Sequence, residues 1–327
     1  MKGNETLYIV IPCYNEQEVL PETHRRLHEK LDSMIGEGLV SKKSRMVFVD
    51  DGSKDATWEL IRQFYEEDEL TLGIRSSRNR GHQNTLLGGL LTVANDCDMV
   101  ISMDADLQDD IGVMDEFVRK YYGGCDIVYG VRASRRKDTF FKKVTAEAFY
   151  RLLNAMGVEV VFNHADYRLM SRRAIMALSE YKEVNLYLRG MIPMIGFKTD
   201  IVEYERAERF AGESKYPFSK MLALAVNGIT SLSVRPIRMI TGLGIALFII
   251  SIILLVYYTI GYFLERTIHG WATLVVSIWA LGGLQLLAIG VIGEYIGKIY
   301  LETKGRPRFI VDTYLSEDIR RGTGTGE

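Results

Sequence analysis

Asp104-Ala105-Asp106-Leu107-Gln108 sets two carboxylates and an amide oxygen at alternate positions directly after an apolar run, Met99 to Met103. Oxygen donors so spaced can converge on one hard divalent cation. Such an ion can bridge a diphosphate and offset charge on a departing phosphate. The same residues can equally form an acidic turn that caps a helix before Ile111, and spacing alone does not choose between the two. Asp51 could accept a hydrogen bond from a base N–H and Tyr14 could stack on that base, or both could simply shape turns. His24 and His28, four residues apart, could begin a zinc site. With no third ligand evident nearby and Arg25 and Arg26 between them, they read as a solvated helix face. Cys13, Cys97 and Cys125 show no metal-type spacing, and their odd number suits a reducing compartment.

These residues need a scaffold that brings them together. Leu7 to Ile11 and Arg45 to Val49 are short apolar runs closed by Pro12 and by Asp50-Asp51-Gly52, and read as buried strands. A helix is predicted from Glu16 to Met34, with Val19, Leu20, Leu27, Leu31 and Met34 on one face, and another after Ser53 as N-cap. The alternation continues through a strand at Leu70 to Ile74, a helix through Leu86 to Val93 and a strand at Met99 to Met103. It predicts an open, mostly parallel α/β sheet with ligands at the carboxyl ends of the strands. Pro12, Asp51 and Asp104 to Gln108 all lie at such ends.

The apolar content, 47% overall, is concentrated in the last third. Met239 to Leu264 and Trp271 to Gly293 carry no formal charge, and each exceeds the roughly 20 residues that cross a bilayer. Two transmembrane helices are expected. Arg235 and Arg238 precede the first, Lys298, Lys304, Arg306 and Arg308 follow the second, and the connecting loop holds only Arg266. By the positive-inside rule the N-terminal domain and the tail are cytoplasmic, with Glu265 to Gly270 outside. Met1 to Leu20 lacks a secretory pattern. The expected organisation is a cytosolic domain over 1–234, a two-helix hairpin over 235–300 and a cytosolic tail over 301–327. Amphipathic stretches near 138–157 and 216–232 are expected to lie on the membrane surface.

Gly282, Gly283, Gly290, Gly293 and Gly297 would allow close helix approach within the hairpin or between copies of a homo-oligomer. Glu294, costly in an apolar span, has Lys298 one turn on as a candidate partner. The polar tail after Ile310 is expected to be disordered. A net charge of −2 supplies no global basic field for nucleic acid. A local cluster, Arg132, Arg135, Arg136, Lys137, Lys142 and Lys143, could instead attract a lipid phosphate or anionic headgroups.

Four motifs in one order resemble those of family 2 glycosyltransferases, and within it the polyprenyl-phosphate branch of bactoprenol glucosyltransferases and dolichol-phosphate mannose synthases. They are Ile11-Pro12-Cys13-Tyr14-Asn15-Glu16, Val49-Asp50-Asp51-Gly52-Ser53, Ser77-Arg78-Asn79-Arg80-Gly81 and Met103 to Gln108. Asp166 to Ser171, Arg209 to Tyr216 and Gly290 to Gly297 add to the likeness, which spans about residues 7 to 308.

The resemblance implies a GT-A type nucleotide-sugar-binding domain, dependence on Mg or Mn, and sugar transfer to a lipid phosphate. Residue by residue it implies that Pro12, Tyr14, Glu16 and Asp51, with Asp104 and Asp106, hold the nucleotide sugar. Asp104, Asp106 and Gln108 would hold the metal. Asp106 and Asp166 would be the catalytic carboxylates, Asp166 standing on the acceptor side, with its service as a base left open. Arg132, Arg135, Arg168, Arg209, Ser214 and Lys215 would bind acceptor or phosphates. Arg80-Gly81-His82 departs from the pattern, since relatives often carry an aromatic and then Gly-Lys there, and His82 receives no role.

A phosphomonoester is largely a dianion at neutral pH and needs no base, unlike a sugar hydroxyl. The expected reaction is therefore a single displacement with inversion. The alternatives are a polysaccharide synthase with a hydroxyl acceptor, for which no Gln-x-x-Arg-Trp is present, and a non-catalytic nucleotide-sugar-binding scaffold.

Overall fold

The computed structural model describes residues 3–132, 164–184, 186–205, 235–263 and 271–320. The expected surface helices near 138–157 and 216–232, and Arg135, Arg209, Ser214 and Lys215, lie outside them.

Eight strands form one sheet in the order β7-β5-β6-β4-β1-β2-β3-β8. β1 is Leu7–Cys13, β2 Arg45–Asp50, β3 Thr71–Ser76, β4 Met99–Ser102, β5 Ile127–Arg132, β6 His164–Ser171, β7 Thr199–Tyr204 and β8 Val311–Leu315. β4, β1, β2 and β3 run parallel, while β6 and β8 run antiparallel to their neighbours. The mostly parallel α/β architecture read from the alternation is present. Its central strands are continuous apolar runs because helices cover both faces.

On one face lie α1 (Leu20–Gly36), α2 (Thr57–Glu67) and α4 (Met114–Tyr122), through Leu27, Ile61 and Phe117. On the other lie α3 (His82–Val93), α5 (Arg172–Ser179) and α6 (Leu188–Met194), through Leu87, Ile175 and Met191. Ser53 does not cap α2, which begins at Thr57 after Ala56. Its hydroxyl accepts instead from the Asn15 N–H at 2.9 Å, joining the loops after β1 and β2.

β1 connects through α1 to β2 on one side, whereas β3 connects through α3 to β4 on the other. The chain therefore reverses direction at the β1/β4 boundary, where open α/β sheets place ligands. β4 pairs with β1 only as far as Val10, while β1 continues beside β2 to Cys13. Pro12, which has no N–H to give, sits where no ladder bond toward β4 is required.

α7 (Arg235–Phe263) and α8 (Trp271–Lys304) are the two long C-terminal helices. Among the described residues one stretch, Leu281–Lys304, is long and apolar enough to cross a membrane, and Pro236–Leu247 is a shorter apolar one. Two spans therefore remain an expectation. Among the described residues, a Cβ built at Gly282, Gly283, Gly290, Gly293 or Gly297 meets nothing within 4 Å.

Residues 311–320 are ordered, contrary to the expectation from the polarity of the tail, and residues 321–327 lie outside the described residues. β8 pairs antiparallel with β3, and α9 (Glu317–Arg320) follows it. Arg320 donates to the carbonyls of Tyr65, Asp68 and Thr71, and Glu317 pairs with Arg45 at 2.5 Å. Hydrogen bonds to an otherwise open sheet edge, with Val311, Tyr314 and Leu315 packed against the core, supply this order.

Candidate active site

Three loops meet at the β1/β4 boundary. Those after β1 and β2 are laced together: Asn15 Oδ1 accepts from Lys54 N–H at 2.9 Å and Thr57 Oγ1 from Glu16 N–H at 2.9 Å. Asn15 takes a left-handed φ of 54° to do so, and an asparagine tolerates that region well. Gly52, φ 67°, lies so close to the loop after β3 that a Cβ would come 2.9 Å from Asn79 N. No residue but glycine fits both conditions. Pro12 is buried and Tyr14 is 40% exposed at the rim. Asp51 is buried and spends both carboxylate oxygens on the N–H groups of Arg80 and Gly81, each at 2.8 Å. It thereby shapes the turn after β3, and a base N–H would share an oxygen with one of these donors.

The metal-type motif begins where β4 ends. Thr23 of α1 donates its hydroxyl to Ala105 O at 2.8 Å, and Asp106 Oδ1 accepts from Gln108 N–H at 3.2 Å. Leu107 stands between them at φ 57° with its side chain buried. A leucine in that region is strained, and packing must hold it there. The helix-capping role that an acidic turn offers falls to Asp110, which accepts from Gly112 N–H at 2.8 Å at the start of the short helix Ile111–Val113. Asp104 is not used as a cap, and its side chain is 38% exposed. Enclosure at the strand end, then the charges of Asp166 and Asp106, push its carboxyl up despite His82 and Arg189 nearby.

On the far side of β4, Ser102 donates to Asp166 O at 2.6 Å and so fixes β6 against it. Asp166, its side chain 9% exposed, faces His82 of α3 at 3.5 Å, Arg189 of α6 at 2.9 Å, and Arg168. Burial alone would raise its pKa. Arg189, the His82 bond and Arg168 outweigh that and hold the carboxyl well below the usual carboxylate range. A carboxylate so engaged is a weak proton acceptor. Arg168, expected to reach the acceptor, is 1% exposed and buried against Asp166; no ligand outside can touch it. Arg132 ends β5, 4.0 Å from Asp109.

His82, to which the sequence assigns no role, stands 3.5 Å from both Asp104 and Asp166. Burial lowers its pKa, but the two carboxylates overcome this and leave it raised. Arg189 was also missed, and no motif marks it: it arrives from α6, whose first N–H, that of Leu188, is held by Gln83 Oε1 of α3 at 3.0 Å. His24 and His28 do have a third neighbour, Asp68, whose Oδ2 lies 3.0 Å from each, so they form a paired cluster and not a bare solvated face.

Asp104, Asp106 and Gln108 fit a hard cation by donor type. No three His, Cys, Asp or Glu side chains among the described residues close a cage. An ion such as Mg takes only one or two protein carboxylates and keeps its remaining positions for phosphate and water, so two carboxylates and an amide oxygen would be donors enough.

Asp109 is buried, with Oδ1 accepting from Tyr204 Oη–H at 2.5 Å and Oδ2 without a partner. Burial, then the charge of Asp104, raises its pKa to about 6. An unfolded aspartate titrates near ~3.9. The native state therefore holds the extra proton between these values, and Asp109's contribution is present below about pH 4 and lost as pH rises through about 6. Asp109→Asn should remove on the order of 2 to 3 kcal/mol of that pH dependence. Melting temperatures from pH 4 to 7 check this; parallel wild-type and variant curves would refute it.

Comparison with known proteins adds to this geometry. The family model described as Glycosyl transferase family 2 matches residues 8–179. The chain is 53% identical over 314 residues to the uncharacterized glycosyltransferase YkoT of Bacillus subtilis (strain 168), covering 96% of this chain and 93% of that one. It is 38% identical over 305 residues to the prophage bactoprenol glucosyl transferase homolog of Escherichia coli (strain K12), covering 93% and 97%. To the bactoprenol glucosyl transferase of Shigella phage SfX it is likewise 38% identical over 305 residues, with the same coverage.

Proposed function

Because the chain belongs to glycosyl transferase family 2 and is a glycosyltransferase, we propose that it transfers a hexose or N-acetylhexosamine from a nucleotide sugar to a polyprenyl phosphate at the cytoplasmic membrane face. The product would be a lipid-linked sugar for modifying cell-envelope glycans. The observation that carries this reading is the placing of Asp104 at the β1/β4 boundary, between the laced loops on one flank and Asp166 with Arg189 on the other.

The donor's nucleotide would lie over the loops of Pro12, Tyr14, Glu16 and Asp51. Asp104, Asp106 and Gln108 would hold a Mg or Mn ion, which when bound neutralises the diphosphate as it departs. The acceptor would approach from the β6 flank. The suppressed basicity of Asp166 favours a phosphate, which attacks as a dianion, over a hydroxyl, which needs a base. Direct attack by that dianion is a single displacement, so the anomeric configuration should invert. The names of the bactoprenol glucosyl transferase relatives support the same acceptor class.

The pairing of β8 with β3 supports a two-span hairpin. It places the segment after α8 in the same sheet as the N-terminal domain, so the chain between must cross a membrane an even number of times. If Leu281–Lys304 crosses, a second crossing would be needed to bring β8 back, and α7 is the apolar segment that would supply it. The unfilled glycine positions of α8 are open to a second copy in the bilayer, as a homo-oligomer would use them.

The test is to incubate the purified full chain with undecaprenyl phosphate, Mn or Mg and a panel of UDP- and GDP-linked sugars, and then extract lipid. One labelled lipid of inverted anomeric configuration is the expected result. No labelled lipid with any donor defeats the reading, and retention defeats the single displacement.

A further inference from the structure

Of the two arginines set against Asp166, Arg189 is the one both anchored and turned outward. Its Nε and Nη2 face Asp166 Oδ1 and Oδ2 at 3.3 and 2.9 Å. A guanidinium carries five N–H donors in a fixed plane, so both Nη1 hydrogens and one on Nη2 remain after this side-on pairing. No bond from Nη1 is made among the described residues, and the side chain stays 37% exposed. Arg168 differs: it is 1% exposed, and its Nε and Nη1 are buried without partners.

Burying a carboxylate against two guanidinium groups costs several kcal/mol of lost hydration per ion and adds little stability by itself. It does fix orientation. Ser102 holds the Asp166 backbone, Gln83 holds the start of α6, and Asp166 then locks the guanidinium plane from both. The locked group lies on the β6 side of Asp104, away from the laced loops after β1 and β2. Its neighbours Asp104 and Asp166 are acidic. A substrate phosphate entering from this side needs a cation to meet it.

We propose that Arg189, held in place by Asp166, binds a phosphate oxygen of the acceptor. Asp166 is a positioning residue in this arrangement, acting through Arg189. The proposal rests on the transfer function above for the identity of the acceptor. Its chemistry, a fixed planar cation for a phosphate dianion, is shared with a donor diphosphate, and the experiment separates the two.

Calorimetry on the full chain in detergent would measure binding of farnesyl phosphate, a short polyprenyl phosphate, and separately of UDP and GDP with Mn. Arg189→Gln should weaken farnesyl phosphate by about 10- to 100-fold, the range for a hydrogen bond to a charged group, and leave nucleotide affinity unchanged. Arg189→Lys should recover only part of the loss, because an ammonium lacks the planar fork. Asp166→Asn strands Arg168 and can unfold the protein, so Asp166→Asn with Arg168→Met tests the positioning role. It should weaken farnesyl phosphate about tenfold, with Arg189 still present. Arg25→Gln, on the exposed face of α1, should change neither ligand.

Unchanged farnesyl phosphate affinity in Arg189→Gln, or a loss confined to the nucleotides, overturns the proposal. So does a wild type that does not bind farnesyl phosphate. Wild-type binding without transfer from any donor would instead defeat the proposed function and leave Arg189 as a phosphate ligand.

Discussion

Asp104→Asn is expected to lower sugar transfer by about a hundred- to a thousandfold while leaving the protein as stable as wild type or slightly more so. The two halves have one cause. Asp104 sits at the end of β4 with Asp106 and Asp166 close, and its carboxyl is pushed up by enclosure and by those charges. Ionised without a cation, it opposes folding, so an amide relieves the strain. In the proposed function the same charge would hold a cation and a diphosphate. Removing one electrostatic contact to a departing group costs roughly 10²- to 10³-fold in rate, and a metal ligand also lowers occupancy of the ion. Asp109→Asn, nearby but facing Tyr204, should leave the rate within a few-fold. Initial rates at saturating Mn, beside melting temperatures in the same detergent, check both statements. A large loss of rate accompanied by a lower melting temperature would make Asp104 a structural residue and sink the prediction.

Ending the chain at Arg306 should cost on the order of 4 to 6 kcal/mol of stability, a large share of the roughly 5–15 kcal/mol that holds a domain together. The lost contacts are specific. The β3 edge loses β8, Arg45 loses Glu317, and Tyr65 loses both the Ser316 carbonyl at 2.9 Å and the Arg320 guanidinium over its ring at 4.2 Å. Phe309, which packs against Gly88 of α3, is lost as well. Burial of one large side chain is worth about 1.5–3 kcal/mol and each net hydrogen bond about 1 kcal/mol.

The truncation should also reach the active site. Ser77, which opens the loop whose Arg80 and Gly81 N–H groups hold Asp51, donates to Ile310 O at 3.0 Å. Nucleotide affinity is therefore expected to fall together with the melting temperature. Arg320→Ala alone should produce a smaller loss, about 1 to 3 kcal/mol. Thermal melts and UDP binding of the detergent-purified proteins test this, and a truncated chain that melts within about 2 °C of wild type would refute it.

The sheet was legible because strand and helix alternate with short apolar runs, and a buried parallel strand writes its burial into consecutive residues. The loops of the candidate site were legible because Pro12, Gly52 and Asp104 stand at strand ends, where only certain residue types can turn the chain. The C-terminal strand was not. Val311–Leu315 owes its order to hydrogen bonds with an edge far away in sequence and to Val311, Tyr314 and Leu315 packing on the core beside it, while the polar tail around it reads alone as a loose end. Arg168 shows the reverse error. Its motif suggested a ligand contact, but alternation on β6 and the helices packed over it put the guanidinium inside.

The DADLQ stretch of residues 104–108 is a site that the sequence by itself could locate. Residue types set the donors, and a run of strand before them sets where they emerge; both are local properties. That Asp110 takes the cap, that Asp166 is bound as a fixed anion, and that His82 and Arg189 stand beside it are decided only by the tertiary structure. Each depends on which loop or helix arrives across the β1/β4 boundary, and the charge state of a buried carboxylate is set by neighbours many residues away.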